Sequence, residues 1–373
     1  MKIAIQAADL DARRIDGTRV YILNLLKFFG QLDITSKFLI YHRKKFNPEL
    51  IPPDFSNYEI IQKSAPFLWT QTRFAYELKK DLPDVLWMPM QALPLLRPKG
   101  MQTVITVHDL AFKVFPKMFP KKDLWQLNFY ADYAIKNSDK IIAVSASTKK
   151  DILRFYPKIN PQKIRVIHHG FDAELFSQKI DKETQKRFRA KYLIDDAPYL
   201  LYVGAIQPRK NLVTLIEAFG KLKETGNYPK LKLVLAGAPA WQAEGTLEAV
   251  QNSHYSKEII LTGRVSFSDL AKFYQCADVF IFPSLYEGFG IPILESFASG
   301  TPVICANNSS LPEVAGNAAL YFTSGDVAEL ETKIKEILEN APLKENLIKK
   351  GYLRLEEFSW EKCAEESLEF IKI

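Results

Sequence analysis

Cysteine is scarce in this 373-residue chain, which has Cys276, Cys305 and Cys363 and no others. An odd number at such wide spacing supports neither a disulfide framework nor a thiolate metal site. The apolar neighbours of Cys276 and Cys305 mark them as reduced core residues. No apolar run approaches the roughly eighteen residues that suggest a membrane span, and the stretch 86–96 is broken by prolines. Nor does a basic start lead into an apolar leader, because Asp9 and Asp11 interrupt the first apolar pattern. A cytosolic protein is the expectation. No DxD sequence occurs with a supporting site, so no metal is expected. Gly288-Phe289-Gly290 has Ile293 where a third glycine would stand, which argues against a nicotinamide dehydrogenase. No nucleic-acid-binding motif is present.

A chain of this length suits two domains, and its 47% hydrophobic fraction supports sizeable cores. Charge is unevenly placed. Residues 1–180 carry 28 Lys and Arg against 17 Asp and Glu, whereas residues 181–373 carry 22 against 26. A basic half can meet anionic lipid, a lipid diphosphate or nucleic acid, or can simply keep the protein soluble.

The most informative stretch is residues 282–322. An apolar run, Val279–Phe282, reads as a strand. Gly288 and Gly290 punctuate a loop around Phe289. Pro292 suits the first position of a helix, Gly300 ends that helix, and Pro302-Val303-Ile304-Cys305 begins another strand. Glu287 lies in the loop and Glu295 in the first turns of the helix. A helix start beside a glycine loop favours a phosphate, and a carboxylate accepts two hydrogen bonds from a vicinal diol. Together they suit a phosphorylated sugar ligand. A solvated glutamate and an ordinary acid at a helix start fit the spacing equally well.

Three other stretches carry similar chemistry. Tyr199–Val203 reads as a strand leading through Gly204 to Arg209 and Lys210 and then to a helix over 213–219, a layout for an anion bound bidentately by Arg and as a point charge by Lys. A solvated cation pair is the alternative. The strand over 103–107 ends in His108, where side chains at the carboxyl ends of parallel strands meet ligands. Its ring can donate, accept or carry charge near neutral pH, or be a satisfied structural histidine. A first strand and a loop over 8–16 lead to Gly17 and an amphipathic helix over 20–29. Residues 67–78 read as a helix whose Trp69, Phe74 and Leu78 belong to the core rather than to a membrane face. After His108, Lys113, Lys117, Lys121 and Lys122 interleave with Phe112, Phe115, Met118, Phe119 and Trp125, a basic-aromatic patch suited to a membrane surface or an anionic acceptor. His168 and His169, adjacent in sequence, project in opposite directions along a strand and do not suggest a shared metal.

The wording PSLYEGFGIPILESFASGTPVI and SSLPEVAG resembles the C-terminal signature of the retaining GT-B glycosyltransferases (glycosyltransferase group 1, family 4), whose two glutamates are separated by seven residues, as are Glu287 and Glu295. VHDL around His108 and PRKN around Lys210 strengthen the likeness, which covers nearly the whole chain. The resemblance implies an α/β chain of two Rossmann-like parallel-sheet domains facing a central cleft. An acceptor domain spans 1–175, with the last helix, 358–373, packing back onto it, and a nucleotide-sugar domain spans 176–357.

By the same resemblance Glu295 holds the nucleotide ribose and Glu287 contacts the donor sugar. Arg209 and Lys210 neutralise the leaving diphosphate. His108 contacts the donor sugar or acceptor region. Gly17, Gly204, Arg264, Gly288, Phe289 and Gly290 line the donor. Some members have arginine directly after the glycine where this chain has Ala205, which shifts the burden to Arg209 and Lys210. The activity implied is transfer of a hexose from a nucleotide-diphosphate sugar to a glycan or lipid-linked hydroxyl, with retention and without metal or other cofactor. The wording is most like that of mannosyltransferases using GDP-mannose. UDP-glucose and dTDP-rhamnose are alternative donors, and a non-catalytic nucleotide-sugar-binding protein and a nucleotide-sugar epimerase are rival readings. Peripheral contact with the inner face of a membrane would suit the basic N-terminal half.

Overall fold

Most strands are short apolar runs rather than alternations. Tyr199–Val203, Val279–Phe282 and Val303–Ala306 are buried at every position. A strand apolar on both faces is stable only between two helical layers, which is the environment of a parallel sheet. The computed structural model, which describes residues 1–13, 15–65 and 67–372, has this architecture twice. One unit comprises Met1–Gly170 and Phe358–Ile373, the other Phe171–Glu357. The expected boundary after residue 175 falls inside a helix, Ala173–Ser177, and the division lies before it. The expected end of the last helix, Ile373, lies outside the described residues.

In the first unit the strands are β1 (Lys2–Gln6), β2 (Lys37–His42), β3 (Tyr58–Gln62), β4 (Val85–Met88), β5 (Gln102–Val107), β6 (Lys140–Ala143) and β7 (Ile164–Val166). They pair in parallel in the order β3-β2-β1-β4-β5-β6-β7. The second unit holds β8 (Tyr199–Val203), β9 (Lys232–Ala236), β10 (Ile259–Gly263), β11 (Val279–Phe282), β12 (Val303–Ala306) and β13 (Ala319–Phe322). Their parallel order is β10-β9-β8-β11-β12-β13. In both sheets the order of strand addition reverses beside the first strand, between β1 and β4 and between β8 and β11. Such a switch point opens a crevice at the carboxyl ends of the flanking strands, where open α/β sheets take their ligands.

The C-terminal helix, Trp360–Lys372, belongs to the first unit. Its buried Trp360, Cys363, Ala364, Leu368 and Ile371 fall on one face. Lys140 Nζ donates to the Phe370 carbonyl at 3.0 Å, and Lys372 pairs with Asp33 at 2.7 Å. Gly170 faces this helix so closely that a Cβ would lie 2.1 Å from Trp360 N.

The stretch 67–78 differs from the expected single helix. Leu68 is left-handed (φ 47°), Thr70–Phe74 forms a π-helical turn, and the α-helix runs over Ala75–Asp81. Trp69, Phe74 and Leu78 are buried as expected. The basic-aromatic stretch is reduced by packing: Phe112 is buried, and Lys113 pairs with Asp132 at 2.7 Å. Trp125 (70% exposed) and Phe129 (43%), one turn apart on the helix Lys121–Asn137, stack at 5.7 Å. Among the described residues, no helix is long and apolar enough to cross a membrane.

Candidate functional site

In the second unit the loops after β8 and β11 leave the sheet at its switch point. The first contains Gly204, whose φ of 143° suits glycine and whose Cβ would lie 2.7 Å from the Tyr202 hydroxyl. A 3-10 turn, Pro208–Lys210, and left-handed Asn211 (φ 55°) then lead into the helix Leu212–Glu224. Asn211 Nδ2 donates to the Pro283 carbonyl at 3.2 Å, and Leu285 N to the Arg209 carbonyl at 2.9 Å. The two loops are thereby tied together by backbone and amide bonds.

Three charged side chains meet where the loops join. Arg209 Nη1 lies 3.2 Å from Glu287 Oε2 and also donates to the Tyr286 carbonyl, while Lys210 Nζ pairs with Glu287 Oε1. Lys210 Nζ also sits 5.5 Å from the Phe282 ring centre, within cation–π range. Glu287 is 9% exposed. Burial pushes its carboxyl upward, but the Lys210 and Arg209 charges outweigh this and hold it below the usual range. The Glu287 carboxylate is therefore ionised at neutral pH, and an arginine and a lysine side by side are the donor types that suit a diphosphate.

The loop carrying Glu287 is held from behind by the turn after β12. Asn308 Nδ2 donates to the Ser284 carbonyl at 3.1 Å, and Glu287 N to Ser309 Oγ at 3.0 Å. Ser310 Oγ lies 3.0 Å from the Glu287 carbonyl and 2.6 Å from that of Phe289, and its hydrogen can serve either. Ser309 takes a left-handed conformation (φ 49°) to present its hydroxyl. Gly290 then turns at φ 121° into the helix Ile291–Ala298. That helix starts one residue before the expected Pro292. Pro292 has no amide hydrogen and Ile293 N donates to the Gly290 carbonyl at 3.0 Å, whereas among the described residues the Ile291 amide makes no backbone hydrogen bond.

Glu295 lies on this helix and makes a separate contact. Its Oε2 accepts from the Tyr274 hydroxyl at 2.9 Å. Burial raises its carboxyl to about 7, with Tyr274 opposing the shift and Asp172 adding to it. Glu287 and Glu295, a sequence pair, are thus in opposite electrostatic states: one beside two cations, the other beside a phenol and a second acid.

Thus Arg209, Lys210 and Glu287 are brought into direct contact, with Gly288, Phe289 and Gly290 in the same loop and Gly204 at the head of the other. Arg264 is exposed in the turn after β10, the edge strand, and is separated from the switch point by β9 and β8. His108 and Gly17 belong to the first unit. Gly17 opens the helix Gly17–Leu32 as its first residue, where Asp16 caps by accepting from Arg19 N. His108 Nε2 donates to the Pro89 carbonyl at 2.8 Å, which leaves Nδ1 as the accepting nitrogen. Burial lowers its pKa, so the ring is neutral at pH 7. Its ring packs edge-on to Tyr21 at 5.0 Å and lies 5.5 Å from His169, while His168 faces Phe358 at 5.5 Å. Sequence reasoning missed Tyr274 and the roles of Asn211, Asn308, Ser309 and Ser310. The last two stood in the quoted SSLPEVAG wording, whereas nothing in the spacing of Tyr274 points to Glu295.

The chain resembles known proteins over both of its units. The family model described as "Glycosyl transferases group 1" matches residues 184–354, and that described as "Glycosyltransferase Family 4" matches residues 15–175. The chain is 30% identical over 276 residues to O-antigen chain mannosyltransferase B of Escherichia coli, covering 73% of this chain and 70% of the relative. It is 30% identical over 245 residues to O-antigen chain mannosyltransferase RfbU of Salmonella typhimurium, covering 66% of this chain and 62% of that one. Among solved structures, sucrose-phosphate synthase from Thermosynechococcus elongatus superposes with a TM-score of 0.77 at 20% identity, over 100% of this chain and 98% of the other. HepE from Anabaena, in complex with UDP-glucose, gives 0.77 at 15% identity over 100% and 99%. The two parallel-sheet units thus have the GT-B fold, and the chain belongs to the group 1, family 4 glycosyltransferases.

Proposed function

We propose that this glycosyltransferase moves a mannosyl residue from GDP-mannose to a hydroxyl of a glycan or lipid-linked acceptor, with retention at the anomeric carbon. The observation that carries the reading is the Arg209–Lys210–Glu287 cluster at the β8/β11 switch point. As the bond from the anomeric carbon to the diphosphate breaks, the diphosphate takes the electron pair. The acceptor oxygen bonds to that carbon from the same face and passes its proton to the departing diphosphate oxygen, which has just gained the electron pair. Arg209, Lys210 and the Ile291 amide stabilise the departing charge because they are in place before it develops. They supply the positive charge that a metal ion would otherwise bring, so activity should survive chelation. No other cofactor is required. Glu287 orients the cations and the sugar hydroxyls, and Glu295 accepts from the ribose diol. His108, neutral and with Nδ1 accepting, meets a hydroxyl of the sugar or acceptor. Gly17, Gly204, Arg264, Gly288, Phe289 and Gly290 complete the donor-binding set.

The names of the two O-antigen mannosyltransferase relatives support the mannosyl donor and a polysaccharide acceptor. The UDP-glucose bound by HepE keeps a glucosyl donor as the second reading. The exposed Trp125–Phe129 pair beside Lys117, Lys121 and Lys122 supports peripheral contact with the cytoplasmic face of a membrane. Thermal stabilisation by GDP, UDP and dTDP and their sugars, with and without EDTA, tests the donor. A shift specific to GDP and GDP-mannose is expected. A shift with UDP or dTDP compounds alone would replace mannose, and no shift with any of them would overturn the reading. Anomeric configuration of the product by NMR tests retention.

A further inference from the structure

Behind Glu295 lies a hydroxyl to which the proposed function gives no role. Tyr274, on the helix Phe267–Cys276, is fully buried. Its ring is fixed by edge contacts with Phe176 at 5.8 Å and Phe280 at 5.2 Å. Thr301 Oγ1 donates to its carbonyl at 2.6 Å, which ties its backbone to the turn that ends the Glu295 helix. The phenol is held far above its usual pKa, first by burial and then by Glu295, so it remains a donor at any physiological pH. It donates to Glu295 Oε2 at 2.9 Å.

Without that bond, a glutamate has three side-chain torsions with which to leave a partly buried position for water. With it, one carboxylate oxygen is pinned, and the other is presented along a fixed direction. A vicinal diol has two donors at fixed spacing and meets a carboxylate well only when the acid is oriented. We propose that Tyr274 is a positioning residue for nucleotide recognition, holding Glu295 so that the site selects a ribonucleotide by its 2′,3′-diol. This inference rests on the reading of Glu295 as the ribose acid.

The test compares GDP with 2′,3′-dideoxy-GDP, and UDP with its dideoxy analogue, by calorimetry on the full chain. Wild type should favour the diol-bearing member of the pair that binds. Tyr274→Phe, which keeps the ring, should weaken that member by about tenfold, the size of one hydrogen bond to a charged group, and leave the dideoxy member unchanged. Tyr274→His, a ring with an N–H donor, should restore part of the discrimination and serves also if the phenylalanine variant folds poorly. Equal loss for both members in Tyr274→Phe would mean a merely structural residue and would overturn the inference. So would full discrimination retained in that variant while Glu295→Gln loses it, which leaves the ribose acid standing. Unchanged discrimination in Glu295→Gln would instead remove the ribose acid itself, and the inference with it.

Discussion

Glu287 and Glu295 show how environment separates two identical side chains. Glu287 has a lowered pKa, so its contribution to stability is present at neutral pH and is lost as pH falls through its folded value. Glu295 has a raised one, at about 7. Its contribution is full below the unfolded value, near 4.3, and is lost as pH rises through 7. In the proposed role of Glu295 binding runs the other way, because a ribose diol needs the carboxylate. Nucleotide affinity should therefore rise with pH through about 7 in wild type, and this limb should be absent in Glu295→Gln, measured by calorimetry from pH 5.5 to 8.5. Glu295→Gln should also bind donor more weakly throughout the upper part of that range. For the cations, Lys210→Ala should lower kcat by more than about tenfold, the loss typical of removing one transition-state contact. Unchanged steady-state kinetics in that variant would remove Lys210 from leaving-group stabilisation.

At the scale of elements, the loop bearing Glu287 owes its shape to a neighbour. Asn308, Ser309 and Ser310 read its backbone at Ser284, Glu287 and Phe289. Ser310 is fully buried, so Ser310→Ala leaves carbonyls without their donor and should cost about 1–3 kcal/mol. The midpoint of denaturant unfolding should fall by that amount, and kcat should fall with it as Glu287 loses its placement. A variant with lowered stability but wild-type kcat would confine the clamp to folding. The helix that follows depends on Gly290. Its φ of 121° suits glycine, and an added Cβ would come within 3.2 Å of Leu311.

At the scale of the molecule, the chain leaves its first unit at Gly170 and returns to it at Phe358. The returning helix closes over Tyr21, whose hydroxyl lies 3.2 Å from Thr106 Oγ1 and whose ring faces Trp360 at 6.3 Å. Close approach at Gly170 is the condition for this seating. Gly170→Ala should therefore unfold at lower denaturant concentration, with a loss of about 1–3 kcal/mol as the helix backbone is pushed away. Unaltered stability would show that the helix can shift without penalty.

Much of this was legible in residue order. Apolar runs without alternation require parallel sheets covered on both faces, whatever the final packing, and loops punctuated by Gly204, Gly288 and Gly290 mark where the chain turns. The wording around Glu287 and Glu295 places the chain in its family, because local backbone requirements and ligand chemistry are both written in short contiguous stretches. What the residues do to one another was not legible. Arg209 and Lys210 lie far from Glu287 in sequence, and only the β8–β11 pairing brings them together. The opposite pKa shifts of the two glutamates arise from burial and from neighbours on other elements. Phe112 and Lys113 read as surface but are taken up by packing, and the Tyr274 hydroxyl is aimed at an acid twenty-one residues away in sequence. Sequence by itself determined most of the elements and the family, since these depend on local pattern. The tertiary structure decided charge state, partner and orientation, since these depend on distance through space.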